Sequence, residues 1–129
     1  MAVTARQNEH QVVHYIRINF AWNTTSASAI QVSLGSAIPA NAIVTRTFVS
    51  VQTAFNGTTG TLDVGTAAAP TALVSAQSVQ AVGGAAVLPA TLGGLLSSSA
   101  DLELFIRYNY TGTPSAGVGS VVVEYVPNI

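Results

Sequence analysis

The 129-residue chain is long enough for one domain with a real core, and it has no cysteine, which excludes disulfide staples and thiolate metal sites. Only 7% of its residues are Asp, Glu, Lys or Arg, where ordinary soluble domains carry about 25%. All four basic residues are arginines (Arg6, Arg17, Arg46 and Arg107) and the formal net charge is -1, so the clustered positive field that drives phosphate-backbone binding is missing and no nucleic-acid partner is expected.

Met1 to Glu9 is polar, with Arg6, Asn8 and Glu9, and lacks the apolar core of a secretion signal. Synthesis in a cytoplasm is the expectation, and this stretch reads as a short N-terminal arm, about 1–9, ahead of a single domain in 1–129. From His10 to Phe20, apolar Val12, Ile16, Ile18 and Phe20 alternate with Gln11, Arg17 and Asn19, the period of two of a half-buried strand. Trp22, the one tryptophan, follows this strand and reads equally as an interface anchor or a core plug.

Ile30, Val32 and Leu34 repeat the alternation, with Gly35 closing the run. Ile38-Pro39-Ala40-Asn41 predicts a turn, and Ile43 to Phe55 the longest strand, with odd positions Ile43, Val49 and Val51 on one face. Asn56-Gly57 predicts a type I′ hairpin leading to Thr61-Leu62-Asp63-Val64. Shorter runs at Ala72 to Val74 and Val79 to Val82 precede a loop-like stretch through Gly94.

Leu102, Leu104, Ile106, Tyr108 and Tyr110 then alternate with Glu103, Phe105, Arg107 and Asn109, and Val121 to Val126 closes the series before Pro127. The apolar stretch from Ala81 to Leu96 is broken by glycines and Pro89 and falls short of the roughly 20 residues of a membrane helix. No window shows a helical stripe free of glycine and proline, beyond one short turn within Ala67 to Gln77. Seven or eight strands in one domain-sized chain predict an all-β, jelly-roll-like sandwich of about eight antiparallel strands.

Several of these strands are apolar on both sides. Val13 and Tyr15 oppose Ile16 and Ile18, Phe105 opposes Ile106, and Val122 and Val126 oppose Tyr125. A two-layer sandwich should be wet outside, so the extra apolar face predicts an oligomer contact. The candidate interface residues are Arg6, Val13, Tyr15, Trp22, Phe48, Phe105, Val122 and Val126. The Ser, Thr, Asn and Gln that replace charge are cheap to desolvate, which suits a protein that works docked.

No catalytic, cofactor or metal site emerges, and the chain is not expected to be an enzyme. On a strand, His10 and His14 would stand about 13 Å apart, too far to share a metal. They read as edge or interface histidines. Asp101 and Glu103 read as solvating a strand start, and Asp63 and Glu124 as solvent-facing strand residues. Ser115 lacks the spacing of a nucleophile elbow, and Gly117-Val118-Gly119 reads as a hairpin loop rather than a phosphate cradle.

Ile38-Pro39-Ala40-Asn41-Ala42-Ile43-Val44, Phe55-Asn56-Gly57-Thr58, Leu62 to Ala68 and the closing Val121 to Val126 strand together resemble the small jelly-roll cement (decoration) proteins of tailed bacteriophages, over roughly residues 30 to 126. The resemblance implies a homotrimer on the capsid exterior, with the major capsid protein as partner and no catalytic residue or cofactor. A receptor- or carbohydrate-binding domain of a tail fibre is the alternative, which clustered aromatics and acids in loops would favour.

Overall fold

The structure, a computed structural model, describes residues 13–88 and 99–127. Its described residues form eight strands: β1 (His14–Ala21), β2 (Gln31–Ile38), β3 (Ile43–Thr53), β4 (Thr59–Gly65), β5 (Val74–Ser78), β6 (Gly83–Val87), β7 (Leu102–Thr111) and β8 (Val118–Val126). They make two antiparallel four-stranded sheets, ordered β1-β8-β3-β6 and β2-β7-β4-β5. This is the double Greek-key order of a jelly roll, so the expected all-β sandwich is the fold.

Alternation builds the core. Leu104, Ile106 and Tyr108 of β7, Val121 and Val123 of β8, and Leu62 and Val64 of β4 are each at most 1% exposed. Phe55 stands between the layers, its ring 5.4 Å from Phe20 and 5.0 Å from Tyr108. Burying such a side chain contributes about 2–3 kcal/mol, which in a chain without disulfides is the principal stabilising term.

Most consecutive strands change sheet, and this corrects several expectations. Asn56-Gly57 is not a type I′ hairpin, because β3 and β4 belong to different sheets and neither residue has a positive φ. Asn56 instead ties this corner to the β7–β8 connection: its Oδ1 accepts the Ser115 and Ala116 amides at 2.8 and 3.1 Å, and its Nδ2 donates to Ser115 Oγ at 3.0 Å. Gly117-Val118-Gly119 is likewise no hairpin loop. Gly119 lies inside β8, and Gly117, at φ 150°, leaves space for the Phe55 ring, which a Cβ there would meet at 2.5 Å.

Bulges account for two further differences. Gly35 does not end β2 but sits at φ 70° within a register shift between Ser33 and Ala37, and the strand runs on to Ile38. In β3 a shift between Val44 and Arg46 changes the parity. Val44 points inward and Ile43, expected on the face of Val49 and Val51, is 49% exposed. At the intervening turn Ala42 N donates to Pro39 O at 3.2 Å, with Asn41 at φ 61° in the position where a type II turn requires it.

The region read as Ala72 to Val74, Val79 to Val82 and then loop is displaced by several residues. Its strands are Val74–Ser78 and Gly83–Val87. Glycine and alanine carry little alternation, so the period-two signal is faint where β6 lies.

Candidate assembly face

The outer surfaces of the two sheets differ in chemistry. On the β2-β7-β4-β5 sheet the centre is a polar cluster around Asp63, which is 3% exposed rather than solvent-facing as expected. Its carboxylate accepts the Ala76 amide at 2.7 Å, Arg107 Nη2 at 2.7 Å and Asn109 Nδ2 at 2.9 Å. Burial pushes the Asp63 pKa up, but these bonds outweigh it and hold the group below the usual carboxylate value. Nearby, Ser33 Oγ donates to Glu103 at 3.0 Å, and Asp101 Oδ1 accepts the Ala40 amide at 2.9 Å.

The β1-β8-β3-β6 sheet is banded. Register places Arg17, Val122, Phe48 and Ala86 in one row across its outer face, and Tyr15, Glu124 and Arg46 in the next. Val126 pairs with Ile43 at the end of the sheet, where Val13 directly precedes β1. On the other side of the apolar row, Ser120 donates to Asn19 Oδ1 at 2.8 Å and accepts weakly from Arg17 and Gln52, each at 3.4 Å. Of the seven exposed large hydrophobics among the described residues, Val13, Tyr15, Ile43, Val82, Leu88 and Val118 lie in or directly beside strands of this sheet. Ile30, beside β2, is the remaining one.

Charge on this face is largely neutralised in place. Arg46 Nε donates to Glu124 Oε1 at 3.1 Å, and the Arg46 guanidinium also lies 5.1 Å over the Phe48 ring. Glu124 is 6% exposed, again not the solvent-facing residue expected. The Thr45 hydroxyl, 2.8 Å from its carboxylate, and then the Arg46 bond hold its pKa below the usual value against the opposing effect of burial.

Of the sequence-predicted interface residues, Val13, Tyr15, Phe48, Val122 and Val126 therefore come together on one face. Phe105 does not join them, because β7 belongs to the other sheet and its half-buried ring faces outward there, in register with Ser33 and Gly65. Trp22 packs partly against the core and also lines a cleft of about 340 Å³ with Asn23, Thr25, Tyr110 and Pro114. Arg6 and His10 lie outside the described residues. His14 is exposed at the β1 edge, its ring 5.7 Å from that of Tyr125.

Sequence reasoning missed Ile43 and Leu88. A bulge in β3 turned the first outward, and a glycine-rich run hid the strand that ends beside the second. Among the described residues, no three of His, Cys, Asp and Glu come together to hold a metal ion, and no helix is long and apolar enough to cross a membrane.

No protein-family model matches the chain, and no curated protein matches it in sequence. Solved structures share its fold. It is 24% identical, with a TM-score of 0.70, to a chain of the cyanophage Pam1 capsid asymmetric unit, covering 92% of this chain and 86% of that one. A chain of the capsid of Ralstonia phage GP4 follows at 18% identity and TM-score 0.66, with 92% and 86% covered. A chain of the acidic stable capsid of Helicobacter pylori bacteriophage KHP30 follows at 15% and 0.59, with 92% and 90% covered. At these identities what is shared is the jelly-roll sandwich along most of each chain.

Proposed function

We propose that this chain is a structural protein of a phage particle: a cement domain, made in the host cytoplasm, that sits as a trimer on the capsid exterior and clamps neighbouring major capsid subunits. The observation that carries the reading is the segregation of exposed apolar residues to the β1-β8-β3-β6 sheet, on a fold shared with chains of phage capsids. A face banded in Val, Phe and Tyr, with its acid and one arginine already paired, loses little on dehydration and gains apolar burial. A symmetric trimer touching several shell subunits at once adds avidity, so individually weak contacts hold.

The role needs no cofactor and no chemistry. Nucleic acid fits poorly as a partner, since Arg46 and Arg107 are engaged with Glu124 and Asp63. The test is light scattering at micromolar concentration together with pelleting on capsids lacking the protein. A trimer that co-pellets is expected. A monomer that stays in the supernatant removes the proposal.

The Trp22–Tyr110 cleft favours a second reading, a carbohydrate- or receptor-binding domain of a tail fibre, because two aromatics lining one cleft with Asn23 and Thr113 suit a neutral sugar ring. Binding on a glycan array, lost on Trp22→Ala, is the outcome that would favour it over the cement role.

A further inference from the structure

Trp22 and Tyr110 line one cleft of about 340 Å³ at the end of the sandwich where β1 and β7 finish. Val13, Leu88, Ser99 and Pro127, which bound the described segments, all lie toward the other end, where Ile43 pairs with Val126 and Ile38 with Leu102. Trp22 comes eight residues after His14 and Tyr110 eight after Leu102, so about 26 Å of strand separates the cleft from that end.

Both walls of the cleft are tied down. The β1–β2 connection is fixed at its start by Trp22 N, which donates to Gly117 O at 3.0 Å, and by Thr24 Oγ1, which accepts the Ala21 amide at 2.8 Å. It is fixed again near its end. There the Ser28 hydroxyl donates to Tyr110 O and accepts the Tyr110 amide, both at 2.8 Å, and Ala29 N donates to Tyr108 O at 2.9 Å. The Tyr110 ring, 4.8 Å from that of Tyr108, ends a run of aromatic contacts through Phe55 to Phe20. Trp22 and Tyr110 both pack against the core, so little side-chain freedom is left to lose when a ligand arrives.

The chemistry of the walls narrows the ligand. None of the eight lining residues is acidic or basic, and Asn23, Ser26 and Thr113 present amide and hydroxyl groups at exposed positions. An ionised ligand would give up hydration here without meeting a counter-charge. The C–H faces of a pyranose ring suit the negative face of an aromatic ring, and its hydroxyls suit amides and hydroxyls. Thr25, the one buried residue among the eight at 5% exposure, has an Oγ1 with no hydrogen-bond partner among the described residues. A buried hydroxyl left in that state carries a desolvation cost, which a ligand hydroxyl removes directly or through one water.

We infer that the cleft holds one neutral hexose unit and that Thr25 selects it through a hydrogen bond to a ring hydroxyl. The inference rests on the second reading above and deepens it, naming the ligand class and the residue that discriminates. A cleft of about 340 Å³ stands at the small end of the roughly 300–1,000 Å³ of small-molecule sites, which suits a single unit rather than a long chain.

Trp22 is the only tryptophan, so its emission reports on the cleft in the full chain. It is titrated with the methyl glycosides of glucose, galactose and mannose, and with N-acetylneuraminic acid as the acidic comparison. A saturable shift with at least one neutral glycoside is expected, at an affinity at least about tenfold above that for the acid. Thr25→Val should weaken that binding about tenfold at an unchanged or higher melting temperature, and Thr25→Ser should restore it. Asn23→Ala, at an exposed position that leaves folding alone, should weaken it about fivefold.

No saturable shift with any of the three glycosides overturns the inference, as does a Thr25→Val protein that binds like the unaltered chain. A preference for the acid, or a shift produced by a proline-rich peptide and not by the sugars, overturns it as well. Glycan-array binding confined to acidic glycans leaves the second reading standing and removes this inference, whereas a blank array removes both.

Discussion

Thr45 Oγ1 lies 2.8 Å from Glu124 Oε1 because Thr45 is the extra residue of the β3 bulge, set opposite the central strand β8. A regular ladder would put one β3 residue opposite Glu124. The bulge supplies two, so Thr45 and Arg46 both reach the same carboxylate. The same bulge turns Ile43 outward, and one local irregularity thus sets both the polar and the apolar part of the face.

The two buried carboxylates give the protein an acid limit. Both Asp63 and Glu124 have pKa values held below their ordinary 3.8 and 4.5. A carboxylate depressed in the folded state contributes stability that is fully present above its unfolded pKa and is lost as pH falls through the folded value. The melting temperature is therefore expected to be level above about pH 5.5 and to drop as pH falls below about 4.5. Asp63→Asn should flatten part of that drop. A melting temperature unchanged between pH 7 and pH 3 would contradict the assignment.

Asp63 also pins the β4–β5 bulge through the Ala76 amide. Replacing it with Ala leaves that amide and Arg107 without their acceptor, at an expected cost of about 2–3 kcal/mol. Urea denaturation followed by fluorescence measures it. Asn retains an acceptor and should cost less.

Tyr108 and Thr47 point in the other direction. Each carries a buried hydroxyl with no hydrogen-bond partner among the described residues, Tyr108 at 1% exposure and Thr47 also at 1%. Removing an unsatisfied buried hydroxyl recovers a desolvation cost of about 1 kcal/mol. Tyr108→Phe and Thr47→Val are expected to leave the melting temperature unchanged or raise it by a few degrees. A marked fall in either would mean that the hydroxyl has a partner in the folded protein.

Gly117 and Gly83 separate backbone strain from crowding. They have nearly the same φ, 150° and 146°, but a Cβ at Gly117 meets the Phe55 ring at 2.5 Å and one at Gly83 meets nothing within 4 Å among the described residues. Gly83→Ala bears the conformational cost alone. Gly117→Ala adds overpacking of about 1–3 kcal/mol. The difference between their unfolding free energies should fall in that range, and equal losses would show that Phe55 moves aside freely.

The architecture was legible where alternation was strong. Leu104, Ile106 and Tyr108 against Phe105, Arg107 and Asn109 gave β7 its correct faces, and Val121 to Val126 did the same for β8. Sheet assignment was not legible at Asn56-Gly57, because a tight turn signal does not say whether the next strand pairs with the last or crosses the sandwich. Nor was the burial of Asp63 and Glu124, which depends on Arg107 and Arg46 arriving from neighbouring strands. Five candidate interface residues lie on one face because period-two parity survives folding within a strand. Phe105 lies on the other sheet from these five, because parity carries no information about which sheet a strand joins.

Phe48 and Val126 lie on the outer face of the β1-β8-β3-β6 sheet, and Ser33 lies on that of the other sheet. A charge at an exposed or half-buried outer position disturbs the core little, so Phe48→Glu, Val126→Glu and Ser33→Glu should all fold. A buried unpaired carboxylate at an interface is costly, so only the first two should weaken docking to capsids, by at least about tenfold, corresponding to 1.4 kcal/mol. Phe48→Glu has Arg46 beside it and is expected to be the milder of the two. If Ser33→Glu weakened binding and the other two did not, the docking surface would be the opposite sheet, and the apolar banding around Val122 would need a different explanation.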